Sequence, residues 1–183
     1  MRLKEINPEV FVADEPLVKI SQREIGFLKE RIKTAPRGRV RLCAHAENAD
    51  PLHEMLIVLS RQTYIRPHKH FRKSESFHVI EGEARIVLFD ESGGIDDVVE
   101  LGEVRSGRKF FYRLSAPRYH TVLIGSDLLI IHETTNGPFR PADAEFAPWA
   151  PAENDPLKCQ SFMARCAEQA QKFMAGRANN ENT

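Results

Sequence analysis

From Arg39 onward the chain alternates apolar and polar residues in short runs, broken by turn-forming residues. Residues 39–45 put Val40, Leu42 and Ala44 on one side and Arg39, Arg41, Cys43 and His45 on the other, the period of a half-buried strand. Similar runs cover 53–60, 62–68, 75–81, 84–90, 109–114, 119–125 and 127–134. Glu81-Gly82, Ser92-Gly93-Gly94, Gly102, Gly107 and Gly125-Ser126 punctuate them. Many short strands at regular spacing predict a sandwich or barrel. Residues 1–20 show no clear period. Ser21 and Glu24 form a capping box, and Ile25, Leu28 and Ile32 follow at helical spacing before Pro36 and Gly38, which predicts a helix over 21–34.

The pattern changes after Gly137-Pro138-Phe139. Residues 140–152 contain Pro141, Pro148 and Pro151 and read as an extended crossing segment, with Phe146 and Trp149 as its anchors. Asp155-Pro156 opens a second helix, for which Leu157, Phe162, Cys166, Ala170 and Phe173 supply an apolar stripe. The polar stretch 177–183 is expected to fray. Three segments result: an N-terminal helix and first strand (1–50), a β-barrel (51–139), and a crossing segment with a C-terminal helix (140–183).

Composition adds exclusions. The 183 residues carry 26 Lys and Arg against 26 Asp and Glu, so bulk charge offers no attraction to nucleic acid or to an anionic membrane. No apolar run approaches the ~20 residues that span a bilayer, and residues 1–8 do not read as a signal peptide. Cys43, Cys159 and Cys166 are odd in number and form no C-x-x-C pair, which fits a reduced, cytoplasmic setting.

The chemistry concentrates in His68-Lys69-His70 followed by Glu75 and Gly82, an H-x-H-x4-E-x6-G pattern. Histidines at i and i+2 on a strand share a face. Imidazole with carboxylate is a donor set for Fe, Mn, Ni, Cu or Zn, and His120 is the best candidate for a ligand from a distant strand. If Glu81-Gly82 is a two-residue hairpin turn, Glu75, Phe77, Val79, Ala84, Ile86 and Leu88 share one face and His78 falls on the other. If Gly125-Ser126 is a second such turn, Glu133 joins the face of His120 and His132 points away. A slip of one residue would exchange Glu133 for His132.

The pattern looks like the first metal motif of the cupin superfamily, whose fourth ligand is a histidine some 40–50 residues onward. Two departures stand out. Gln62 occupies the place of the usual glycine six residues before the first histidine, and Ser115-Ala116-Pro117-Arg118-Tyr119-His120 is a degenerate form of P-x-G-x-x-H. A more specific resemblance, to the WbuC-type cupin metalloproteins, rests on residues 39–43, His53-Glu54-Met55, Arg66-Pro67-His68-Lys69-His70 and 133–139. It implies a single-domain, mainly β cupin (a double-stranded β-helix or jelly-roll barrel) with flanking helices. His68, His70, Glu75 and His120 would hold one divalent transition metal (Fe, Zn, Mn or Ni). The resemblance also implies a setting in bacterial O-antigen (surface polysaccharide) metabolism, and cupin analogy implies a homodimer.

Three function classes follow. One is an enzyme on a carbohydrate or nucleotide-sugar intermediate, with Glu133 or Tyr119 moving a proton. The second is an iron-dependent dioxygenase. The third is a metal-dependent sugar-binding module without turnover. Arg66, Arg118 and Arg41 are candidate substrate-binding residues for an anionic sugar derivative; Lys69, Arg72 and Lys73 also lie near the ligands in sequence. No DNA-binding helix pattern accompanies the strands.

Overall fold

The structure is a computed structural model that describes residues 1–181. It contains strands β1 (Leu3–Asn7), β2 (Val10–Ala13), β3 (Arg39–Cys43), β4 (Leu52–Ser60), β5 (His68–His70), β6 (Glu75–Glu81), β7 (Glu83–Phe89), β8 (Ile95–Gly102), β9 (Phe111–Leu114), β10 (Tyr119–Ile124), β11 (Leu128–Asn136) and β12 (Ala144–Phe146), with helices α1 (Gln22–Arg31) and α2 (Pro156–Glu181). One sheet runs β1-β2-β3-β4-β11-β6-β9 and the other β12-β5-β10-β7-β8. The eight consecutive strands β4 to β11 therefore split into β4-β11-β6-β9 facing β5-β10-β7-β8. That is the strand order of a jelly roll, the fold class that the cupin resemblance implies.

Three apolar layers hold it together. Between the sheets pack Leu59, Phe77, Val79, Ala84, Ile86, Leu88, Leu101, Val122, Leu129 and Ile131. Behind the first sheet, Ile25 and Leu28 of α1 meet Phe11, Val40, Leu42, Val58 and Ile130. Behind the second, Phe162, Cys166 and Ala170 of α2 meet Val87, Phe89, Tyr119 and Leu123. The middle strands are thus covered on both faces, which is why Leu129-Ile130-Ile131 and residues 119–123 are buried without alternation.

Helix α1 begins where the capping box predicts. Ser21 and Glu24 satisfy each other's backbone donors, and a 3-10 turn, Ile32–Thr34, completes the segment. In α2, Asp155 accepts from the Lys158 amide as an N-cap. Leu157 does not join the apolar stripe; it is 76% exposed, about 140° around the helix from Phe162. The helix runs through Glu181; residues 182 and 183, the end of the stretch expected to fray, lie outside the described part.

Other parts of the reading change in detail. Glu81-Gly82 and Gly125-Ser126 are not hairpin turns. β6 and β7 belong to different sheets, as do β10 and β11, so both turns carry the chain across the barrel edge. Gly82 adopts φ +89°, and a Cβ there would lie 2.4 Å from both the Leu128 carbonyl oxygen and Ser126 Oγ. Only glycine allows that approach. The run 62–68 is loop until β5 starts at His68. Residues 1–20, without visible period, hold β1 and β2, and the segment 140–152 contains β12 and a 3-10 turn. Trp149 does anchor that segment, against Phe89 and Phe162, whereas Phe146 is 54% exposed.

Candidate metal centre

Two inward rows cross the first sheet. Register places Cys43, Met55, Glu133, Phe77 and Tyr112 side by side on β3, β4, β11, β6 and β9. The adjacent row holds His53, Thr135, Glu75 and Leu114. From the second sheet, His120 pairs directly with His68, and His70 lies two residues on. The connection between β5 and β6 is only four residues long. It turns through Arg72 at φ +59° and is tied by the Phe71 amide to the Asp143 carbonyl at 2.7 Å and the Ser74 amide to Asn136 Oδ1 at 2.8 Å. That left-handed residue, disfavoured by ~1–2 kcal/mol, brings Glu75 of one sheet back onto His70 of the other.

Among the described residues, one group of His, Cys, Asp and Glu side chains converges tightly enough to share an ion: His68, His70, Glu75 and His120. Their donor atoms all lie within 4.8 Å of one another. Glu75 Oε2 is 3.3 Å from His70 Nε2, and Oε1 is 3.3 Å from His120 Nε2. Donors ~2.1 Å from one ion lie about 3.4 Å apart in a tetrahedral site and at most about 4.2 Å apart in an octahedral one, so the widest pair needs to close by roughly 0.6–1.4 Å.

The imidazoles are oriented for ligation. His68 Nδ1–H donates to the Arg66 carbonyl at 2.8 Å, and His120 Nδ1–H to the Arg118 carbonyl at 2.9 Å. A carbonyl can only accept, so in each neutral ring the lone pair sits on Nε2, aimed inward. Glu75 Oε1 and His120 Nε2 are buried without a hydrogen-bond partner among the described residues, despite their proximity. Two such orphans side by side are what a shared cation would satisfy, and three imidazoles with one carboxylate suit a divalent transition metal.

Electrostatics agree. Burial opposes ionisation of Glu75, but His120, His70 and His68 outweigh it and hold the carboxylate far below its usual range. Burial likewise opposes a charge on His120, and Glu75 reverses it, raising the pKa. Burial, then His120, pushes His68 down to about 4, leaving it neutral and free to ligate above that pH. Burial, then the charge of Glu75, pushes Glu133 up to about 8, with Arg41 opposing.

The other expected residues divide. Glu133 is on the inward face, and His132 points away, its Nε2 3.6 Å from Glu54 Oε1. His78 is exposed beside Phe110. Tyr119 is not brought to the cluster. Adjacent to His120 on a strand, it faces α2, where its hydroxyl donates to Glu145 and its ring lies 4.3 Å from Lys69 Nζ. Arg118 pairs with Asp96, and Arg66 donates to the Ala147 carbonyl at 3.2 Å and stacks on Phe146. Both serve the cluster through their carbonyls. Arg41 occupies the inward face near Cys43 and Glu133, with no ion pair among the described residues. Lys69 is bound outside by Glu91 and Glu145.

Tyr112, absent from the sequence-based candidates, is on the inward face next to Phe77 and within electrostatic reach of Glu75. Its alternation with Leu114 was the available signal. His53 was also passed over; it is buried and stacked on His45 at 4.0 Å.

Comparisons with known proteins reach the fold through one solved structure. The family model described as "Domain of unknown function (DUF6016)" matches residues 20–101, a little under half the chain. No curated protein matches it. Among solved structures, protein SO0799 from Shewanella oneidensis is similar with a TM-score of 0.52 at 12% identity, over 70% of this chain and 85% of that one. Oxalate decarboxylase from Bacillus subtilis gives 0.43 at 17% identity, over 54% of this chain and 24% of its own. CapF gives 0.45 at 16%, over 59% and 30%. At these identities the likeness to SO0799 is one of fold alone. What the chain shares with it is the jelly roll in which the histidine–glutamate group sits.

Proposed function

We propose that this protein holds one divalent transition metal through His68, His70, Glu75 and His120 and uses it on a small oxygen-rich molecule, by metal-assisted proton transfer. The observation that carries the reading is the convergence of four donor atoms from β5, β6 and β10 within 4.8 Å, with two of them otherwise unsatisfied. When bound, such a metal acts as a Lewis acid toward a carbonyl or hydroxyl oxygen.

The protein's own groups supply the rest. The carbonyls of Arg66 and Arg118 fix two imidazoles in the ligating tautomer. Glu133, one strand away from Glu75 on the same inward face, takes a proton from the substrate, exchanges it with water and delivers one back. Its pKa, pushed up to about 8, suits it to both acts near neutral pH. Arg41 offers a guanidinium to an anionic group on the substrate.

The carbohydrate or nucleotide-sugar class and the link to surface-polysaccharide precursors rest on the WbuC-type resemblance of residues 39–43, 53–55, 66–70 and 133–139, and the cytoplasmic setting on the three unpaired cysteines. A homodimer belongs to the same reading, supported by Ile80, Phe110 and Phe111 exposed beside the edge strand β9. The test incubates metal-loaded protein with a panel of nucleotide sugars in deuterated water. Proton transfer puts deuterium into one of them, and Glu133→Gln abolishes the incorporation. Oxygen consumption without incorporation would replace this reading with the dioxygenase. Reversible binding without either would make the protein a sugar-binding module.

A further inference from the structure

Six buried side-chain nitrogen and oxygen atoms have no hydrogen-bond partner among the described residues. Four of them belong to His53, Glu75, Tyr112 and His120. All four residues stand on the inward faces of the barrel: His53, Glu75 and Tyr112 in the two rows of the first sheet, and His120 across from them on the second. An unpaired buried polar group is costly, and four such groups facing one interior, three from the first sheet and one from the second, call for a ligand. Glu75 and His120 are accounted for by the ion. The Tyr112 hydroxyl is not.

Its position is defined by register. Tyr112 on β9 stands opposite Phe77 on β6, and Phe77 stands opposite Glu133 on β11. Glu75 lies two residues before Phe77, on the same face. Tyr112 and Glu133 thus flank the strand that carries Glu75, each one strand spacing of ~5 Å from it. The Phe77 ring packs against Tyr112 at 5.7 Å and offers no acceptor. Tyr112 is 7% exposed, so bulk water does not serve it either.

We infer that Tyr112 is a substrate-binding residue, whose hydroxyl donates a hydrogen bond to an oxygen of a small ligand held at the His68–His70–Glu75–His120 centre, on the side of Glu75 away from Glu133. The inference rests on the metal reading above and narrows the ligand. It must present a carbonyl, carboxylate or hydroxyl oxygen toward β9, as a 2-hydroxy acid or hydroxycarbonyl compound does. A ligand with a hydrocarbon edge there would leave the phenol orphaned.

Tyr112→Phe removes only that oxygen, and three measurements read the result. Thermal unfolding of metal-free protein should give a Tm equal to or above that of the parent, because an unsatisfied hydroxyl has gone. Titration with Co2+, followed by visible absorption, should be unchanged. Glycolate, a 2-hydroxy carboxylate used as the probe, should perturb the Co2+ spectrum of the parent, and its affinity for the variant should fall about tenfold, the size of one hydrogen bond of ~1.4 kcal/mol. A lowered Tm would make the hydroxyl structural and overturn the inference. Equal glycolate affinity in both proteins, or none in a parent that binds Co2+, would overturn it too. A parent that takes up no Co2+ would instead sink the metal reading, and the inference with it.

Discussion

Strands β5 and β10 carry polar clusters on both faces, and the two clusters differ in one respect. Outward, Lys69 bonds Glu91 at 2.9 Å and lies 3.3 Å from Glu145, which also accepts from the Tyr119 hydroxyl. Every member has a partner, and the lysine pKa is raised, chiefly by hydrogen bonding to Glu91. Inward, His68, His70 and His120 meet Glu75 with orphaned donor atoms between them. The outer cluster closes on itself and ties the crossing segment, through Glu145, to the sheet. The inner one leaves Glu75 Oε1 and His120 Nε2 unpaired among the described residues, in a group that could hold an ion. Polar residues alternate along the same two strands, so satisfaction, not polarity, separates scaffold from site.

The contrast is broken hardest by removing a ligand. His120→Ala or Glu75→Ala should weaken Zn2+ affinity by more than 100-fold, beyond the ~10–100-fold typical of residues that only orient ligands; competitive titration against a chelating dye measures it. Lys69→Met should do the opposite. Tm should fall, while Zn2+ affinity changes far less than in either ligand variant. Equal losses of affinity on the two faces would erase the distinction.

A pH series sharpens the inner face. Glu133 has a folded pKa of about 8, above the 4.5 of an ordinary glutamate. A raised carboxyl contributes stability that is fully present below about pH 4.5 and is lost as pH rises through 8. In metal-free protein, the Tm of the parent should therefore drop relative to Glu133→Gln between pH 5 and 8. A constant gap across that range would show that Glu133 is not buried as described. The smallest effect lies far from the site. Ser21→Ala removes a satisfied helix cap and should destabilise by about 1 kcal/mol in chemical denaturation, with Zn2+ affinity unaltered.

How much of this was legible in the chain follows from what alternation encodes. Period two tells which residues share a face, so Phe77, Val79, Ala84, Ile86 and Leu88 were grouped correctly and all lie between the sheets. It does not tell which strand is the neighbour. Two glycine turns that look like hairpins are sheet crossings, because the pairing of β6 with β11 and β9, and of β10 with β5 and β7, is a long-range choice. The parity survived the error: strands on either side of a crossing both keep an inward face, which is why Glu133 was placed inside and His132 outside. The same parity argues against Tyr119, a sequence neighbour of His120, and for Tyr112. Ile95–Gly102 hides its strand in an acidic run that register shows to be shifted between Leu88 and Phe89 of its partner. The ligand quartet itself was readable because its first three members fall within eight residues.

The most direct test is diffraction from crystals grown with one equivalent of Zn2+, recorded on both sides of the zinc absorption edge. One anomalous peak per chain, about 2.0–2.2 Å from an imidazole nitrogen of His68, His70 and His120 and from a Glu75 oxygen, is the predicted result. A peak elsewhere, with those four side chains unchanged around an empty centre, would contradict it.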